Sequence, residues 1–236
     1  MCTVSYLPTP AGFLLTHNRD EAPDRSGAGI HRLQTNQDTL IFPRDTRAGG
    51  TWIAAARSGK TACILNGAET KHLHEPPYRR SRGLLLLDFF ESPDPDFFFQ
   101  NYPLEGIEPF TFLFFQKNTA AEFRWDGQIR RLRRLPPDQP AFWCSATLYA
   151  PDMQAKRAAV FQQWLNTRTG MLSPAAALQL HREGRVGDPE NDFVMQRSRV
   201  QTVSITQIAR QNNRSNMQYL ELHSGQIARR RLSVPR

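Results

Sequence analysis

The chain has 236 residues, 39% of them hydrophobic and 10% aromatic, enough apolar side chain for a sizeable core, and this excludes a disordered or low-complexity protein. The formal net charge is +8, but the basic residues are dispersed and no nucleic-acid-binding module accompanies them. The charge therefore points first to solvated sheet faces, next to an anionic small molecule, and argues against nucleic acid. Three cysteines, Cys2, Cys63 and Cys144, make an odd count without C-x-x-C spacing, so neither a disulfide framework nor a zinc site is supported.

The N-terminus lacks a basic region followed by a long apolar stretch, and no apolar run reaches the span of a bilayer, so a cytoplasmic protein without membrane spans is expected. Residues 2–7 read as a short strand, 8–12 as a turn and 13–16 as a second strand, an opening hairpin. Asn18-Arg19-Asp20-Glu21 follows, placed where a sheet edge gives way to a loop. Residues 51–56 and 61–65 predict another hairpin across Ser58-Gly59, punctuated by Asn66-Gly67. Helices are predicted over 82–90, which is leucine-rich, and over 94–100.

Strands follow over 110–115, 121–125 and 128–135, the last two joined across Asp126-Gly127. Residues 151–166 have helical apolar spacing, and Ser173-Pro174 supplies an N-cap and first-turn proline for a helix through 180. Strands over 201–209, 217–222 and 226–232 complete the chain, with Ser224-Gly225 turning the final hairpin. Antiparallel strands interleaved with pairs of helices predict an α+β protein: a four-layer αββα sandwich of two mainly antiparallel sheets, one domain over 1–236.

The chemistry centres on Cys2. A small side chain behind the initiator permits loss of Met1, which leaves a thiol and a free α-amine on one residue. The amine, with a reference pKa of about 7.7–8.0, can accept the thiol proton. An incidental buried cysteine is the structural alternative. A tight opening hairpin brings Asp20 close to the chain start, where its carboxylate could hold the amine, and Arg19 could lower the thiol pKa or pair with Asp20 and Glu21. A surface ion pair is the alternative here. Asn66 could offer its side-chain amide and a neighbouring backbone N–H to an oxyanion, as acyl transfer requires, or could simply make an Asn-Gly turn.

Met1-Cys2-Thr3, Asn18-Arg19-Asp20-Glu21, Gly49-Gly50-Thr51-Trp52 and Leu65-Asn66-Gly67 together resemble the NRDE family, also called the transport and Golgi organisation protein 2 family. The segment Ser198-Arg199-Val200-Gln201-Thr202-Val203 is similar to the family's later T-R-S-S-T-V segment. The resemblance implies an N-terminal-nucleophile hydrolase-like fold related to the choloylglycine-hydrolase and penicillin-acyltransferase branch. It implies Cys2 as nucleophile, Asp20 as the carboxylate on the amine, Asn66 as an oxyanion donor and Arg199 as a site arginine. Asn18, Arg19 and Trp52 are motif residues expected on the substrate side. Where the family often has Leu-Ser-Asn, this chain reads Cys144-Ser145-Ala146-Thr147, so an amide donor is missing and Ser145 or Thr147 would donate instead.

His72-Leu73-His74-Glu75 has the residue types of a metal cluster but no identifiable third distant ligand, so a solvated loop and no metal are expected. The Phe97–Phe99 and Phe112–Phe115 clusters suit core packing before an acyl pocket. The expectation is a cysteine amidohydrolase or acyltransferase, without cofactor, acting on a small nonpeptide amide, acyl or lipid-like compound. The alternative is a catalytically silent binder or carrier of a hydrophobic metabolite, an acyl lipid or haem, on the same fold.

Overall fold

The computed structural model describes residues 2–25 and 27–233, and these form two antiparallel sheets and four helices. The first sheet contains β1 (Cys2–Thr9), β2 (Gly12–Glu21), β10 (Ala141–Cys144), β11 (Gln201–Gln211), β12 (Arg214–Glu221) and β13 (Ile227–Ser233), in the order β10-β1-β2-β11-β12-β13. The second runs in sequence order through β3 (Gly27–Gln34), β4 (Thr39–Asp45), β5 (Ile53–Ala56), β6 (Thr61–Asn66), β7 (Phe110–Gln116), β8 (Thr119–Trp125) and β9 (Arg130–Leu135).

Strand alternation sends one set of side chains from each sheet into a shared layer. Val4, Tyr6, Phe13 and Leu15 of the first sheet meet Ile53, Cys63, Leu113 and Phe115 of the second there. The opposite face of the second sheet packs under α1 (Arg82–Glu91) and α2 (Pro95–Asn101), largely through phenylalanine. The opposite face of the first packs under α3 (Pro151–Asn166) and α4 (Pro174–Glu183), through Leu7, Leu14, Phe161, Leu180 and Phe193. Three apolar layers between four layers of secondary structure make the expected αββα sandwich. Both phenylalanine clusters are core apart from Phe97, which is 60% exposed. Among the described residues no helix is long and apolar enough to cross a membrane.

Local chemistry explains the helix starts. Ser81, Asp94 and Ser173 cap α1, α2 and α4, each accepting a backbone N–H with its side-chain oxygen, and prolines begin α2, α3 and α4. Gly50 has a steric reason: a Cβ there would stand 2.4 Å from the Gly83 carbonyl carbon in the first turn of α1. That close approach lets the Thr51 N–H reach the Gly83 carbonyl at 3.1 Å. Gly50→Ala is expected to push α1 off the sheet and cost about 1–3 kcal/mol, seen as a Tm several degrees lower in calorimetry.

Two expectations need correction. Asn18-Arg19-Asp20-Glu21 is not a loop at a sheet edge: it lies inside β2, which has β1 on one side and β11 on the other. Polar composition mimics a loop, but each buried polar group here has a partner in the packed sheet, and tertiary context overrides local preference. Three strands escaped prediction. Pro43 in β4 signals a break, yet β4 pairs with β5 only at Leu40 and Ile41, so Pro43 lies beyond that ladder and interrupts none of it. The opening of β3 is glycine-rich, and β10 is four residues long after Pro140.

Candidate active site

The register of the opening hairpin sets the geometry. Cys2 pairs with Arg19 and Thr3 with Asn18, so the start of β1 lies beside the part of β2 that leads into Asp20. On the other side β10 pairs Cys144 with Thr3, and the Ser145 N–H bonds to the Cys2 carbonyl at 2.9 Å. The start of β1 is thus held from both flanks. Met1 lies outside the described residues.

Cys2 alternates with Thr3, so its side chain faces the layer between the sheets while Thr3 faces the helices. Although only 2% exposed, Cys2 lines a cavity of about 560 Å³ together with Arg19, Trp52, Asn66 and Thr147. Burial pushes the Cys2 thiol above its ordinary value; the Asp20 charge adds to this and the Arg19 charge opposes it. The resting group is a thiol, which needs a local proton acceptor to become a nucleophile.

Asn66 ends β6 and its side-chain amide bonds to no other described residue. The neighbouring Gly67 N–H does not face an oxyanion: it donates to the Pro109 carbonyl at 2.9 Å. Ser145 is 1% exposed and its hydroxyl donates to the Asn66 carbonyl at 2.6 Å, with the Thr147 hydroxyl 3.2 Å away. With the Ser145 proton so placed, Thr147 is the donor across that contact, and turning its O–H away from Ser145 is what lets it face the cavity beside Asn66. Arg19 lies 4.2 Å above the Trp52 ring and donates to Asp45 at 2.6 Å, which makes Trp52 a platform for the guanidinium. Burial opposes the charge of Asp45, but the Ala48 N–H, Arg19 and Arg25 outweigh it and hold the carboxyl below its usual range.

Asp20 occupies the helix-facing side of β2. It accepts the Thr202 hydroxyl at 2.7 Å and the Tyr149 hydroxyl at 3.2 Å, and is fully buried. Of the expected pairing of Arg19 with Asp20 and Glu21, the Asp20 half is absent, since those two residues point to opposite faces of β2, while Arg19 takes Asp45 at 2.6 Å and has Glu21 at 3.9 Å. Asn18 shares the helix-facing side and does not reach the cavity. Its amide donates to the His181 and Phe193 carbonyls at 2.9 and 2.7 Å, which corrects its expected place on the substrate side. Arg199 is likewise away from the cavity, exposed in a turn closed by the Arg197 N–H on the Val200 carbonyl. Its segment contacts the site through Thr202, whose hydroxyl carries no catalytic signature in the sequence.

Asn18 also decides a tautomer. Because its Nδ2 is the donor to two carbonyls, its Oδ1 accepts from His181 Nδ1 at 2.7 Å, leaving His181 Nε2 to accept the Ser5 hydroxyl at 2.7 Å. The arrangement is sealed between β1, β2 and α4, with all three residues fully buried. Burial and the nearby Arg157 charge lower His181 to about 3, from a reference of 6.5. Between those values the unfolded chain binds a proton that the folded chain refuses, so stability falls as pH drops from 6.5 toward 3. His181 is expected to contribute up to about 1.4 kcal/mol per pH unit to that fall. Urea titrations from pH 7 to 4 should show the slope in the wild type and a shallower one in His181→Gln.

The far wall of the cavity is the segment after β6. His72 Nε2 and His74 Nδ1 both bond to Glu108 Oε1, at 3.0 and 3.1 Å, while Arg82 pairs with Glu108 Oε2 at 2.7 Å. Burial disfavours the Glu108 charge, and Arg82 with the two imidazoles outweighs it, so the carboxyl sits below its ordinary value. Glu108 was not foreseen as the partner of these histidines, and among the described residues no group of three His, Cys, Asp or Glu side chains is arranged to hold a metal. The lining carries Arg19, Arg25, Lys71, Arg80 and Arg82 against Glu21, Asp45 and Glu108, and Arg80 is held by Asp88 beyond the lining, which leaves a small basic surplus. The arginines of β9 are tied to Asp126, Glu122, Asp96 and the carbonyls ending α2, as expected of a solvated sheet face.

A family model described as Transport and Golgi organisation 2 matches residues 1–169. No curated protein matches the sequence. Among solved structures, a cysteine-to-alanine mutant of the conjugated bile acid hydrolase from Clostridium perfringens superposes with a TM-score of 0.58 at 10% identity, covering 98% of this chain and 92% of that one. A Caenorhabditis elegans N-acylethanolamine-hydrolyzing acid amidase ortholog gives 0.57 at 12% identity, covering 88% and 92%. At these identities the likeness is one of fold, that of the N-terminal-nucleophile hydrolases.

Proposed function

The chain belongs to the Transport and Golgi organisation 2 family, and from that premise we propose that it is a cysteine amidohydrolase or acyltransferase acting on a small nonpeptide amide or acyl compound. The observation that carries the reading is the convergence of Cys2, Asn66 and Thr147 on one cavity. Two structures of the same fold are named for hydrolysing a conjugated bile acid and N-acylethanolamines, which supports amide chemistry as the class.

After loss of Met1 the Cys2 amine takes the thiol proton, and Asp20 accepts a hydrogen bond from the resulting ammonium. The sulfur attacks the acyl carbon. Negative charge moves to the carbonyl oxygen, where the Asn66 amide and the Thr147 hydroxyl donate to it. Collapse breaks the C–N bond, the ammonium returns its proton to the leaving amine, and a thioester remains on Cys2. Water, deprotonated by the same amine, then releases the acid, or a second amine or alcohol accepts the acyl group. The basic surplus in the lining favours a substrate bearing an anionic group, so N-acyl amino acids should exceed their methyl esters by about tenfold in kcat/KM, roughly 1.4 kcal/mol of charge recognition. Amine release from a panel of such pairs tests both statements. No release from any member would sink the hydrolase reading.

One observation favours a second reading. A hydroxyl stands where an amide donor is usual in the family, so a silent binder of a hydrophobic acyl compound fits the same cavity. It predicts acyl-ligand binding equal in wild type and Cys2→Ser, with turnover in neither.

A further inference from the structure

Arg157 is 0% exposed, projects from α3 toward the sheet, and has no carboxylate within ion-pair distance among the described residues. A guanidinium taken out of water without a counter-charge is costly, and its partners here are neutral. It donates to the Asn191 and Asp192 carbonyls, the Thr3 hydroxyl and the Cys144 sulfur. Its plane lies 4.1 Å from the Tyr149 ring centroid, and the Arg197 guanidinium stands 5.6 Å from the same ring. Tyr149 is therefore a phenol flanked by two cations, and its hydroxyl donates to Asp20.

We propose that Arg157, which lines no part of the cavity, is a positioning residue: its charge, relayed through Tyr149, keeps Asp20 a carboxylate so that Asp20 can fix the amine of the processed chain start. The inference rests on the reading in which that amine is the proton acceptor for Cys2. Several elements bring groups to the surroundings of Asp20. β1 brings Cys2, β10 brings the Cys144 thiol, the segment after it Tyr149, α3 Arg157, and β11 Thr202, while His181 on α4 stays neutral. Burial raises the Asp20 carboxyl, and the Thr202 hydroxyl, the Arg157 charge and the Tyr149 hydroxyl pull against it. Of these, Arg157 alone is a full positive charge from the protein's side chains, and its removal leaves burial less opposed.

The test is the pH dependence of iodoacetamide alkylation at Cys2, read by mass spectrometry of the N-terminal peptide in the processed full chain. Arg157→Met removes the charge and Arg157→Lys keeps it. Arg157→Met should displace the midpoint of the alkylation profile by about one pH unit, and Arg157→Lys should displace it by less than a third of that. Tyr149→Phe, which removes only the relaying hydroxyl, should move it the same way by about half a unit, and serves if Arg157→Met does not fold. A purely packing role for Arg157 would lower Tm and leave the midpoint in place, and an unmoved midpoint in folded Arg157→Met, or in Tyr149→Phe, overturns the inference. Asp20→Asn separates the two levels. If it shifts the profile while the Arg157 and Tyr149 variants do not, the inference alone fails; if Asp20→Asn has no effect, the underlying reading of the amine fails.

Discussion

Cys2→Ser is expected to lower turnover of a competent acyl amide by at least ~10³-fold with little change in Tm. The hydroxyl is nearly the same size as the thiol, and Cys2 makes no bond that secures the fold, since β1 is held by backbone ladders to β2 and β10. What is lost is chemistry: a serine proton is far harder to remove than a cysteine proton, and a serine oxygen cannot form the thioester. The assay is single-turnover amine release with wild type and variant at equal concentration. Equal rates would show that some other group attacks.

Asn66→Ala should reduce kcat by about 10²–10³-fold, corresponding to roughly 2.7–4 kcal/mol, with KM changed much less. The reason for the split is that the amide meets full negative charge only when the carbonyl oxygen becomes an oxyanion. The effect should be large here because the Gly67 N–H is already bonded to Pro109, leaving Thr147 as the other donor. Thr147→Val should cost less than Asn66→Ala, since a neutral hydroxyl shared with Ser145 is the weaker donor. If Asn66→Ala raised KM and spared kcat, the residue would be binding ground-state substrate instead.

Much of this was legible because it was local. Turn residues, caps and alternation located the helices and the hairpins other than β3–β4, and Cys2 and Asn66 stand out because their chemistry is tied to the chain start and to a strand end. What escaped depends on contacts distant in sequence. The extent of β2 was hidden because Asn18, Arg19 and Asp20 read as loop residues until β1 and β11 supply their partners. Arg157 carries no mark in the sequence that sets it apart from other charges on α3, although the interior of the protein collects it against Tyr149 and Phe193. Asp45 and Glu108 carried no motif, yet they organise Arg19 and the two histidines. Arg199 illustrates the reverse: a motif arginine whose segment meets the site through the hydroxyl of Thr202.

The most direct measurement of the central claim is intact and peptide mass spectrometry after brief exposure of the purified protein to a small activated acyl ester. The processed protein should begin at Cys2, carry one acyl group on that sulfur and lose it on standing in water. Retention of Met1, or acylation at Cys63 or Cys144 with Cys2 untouched, would contradict it.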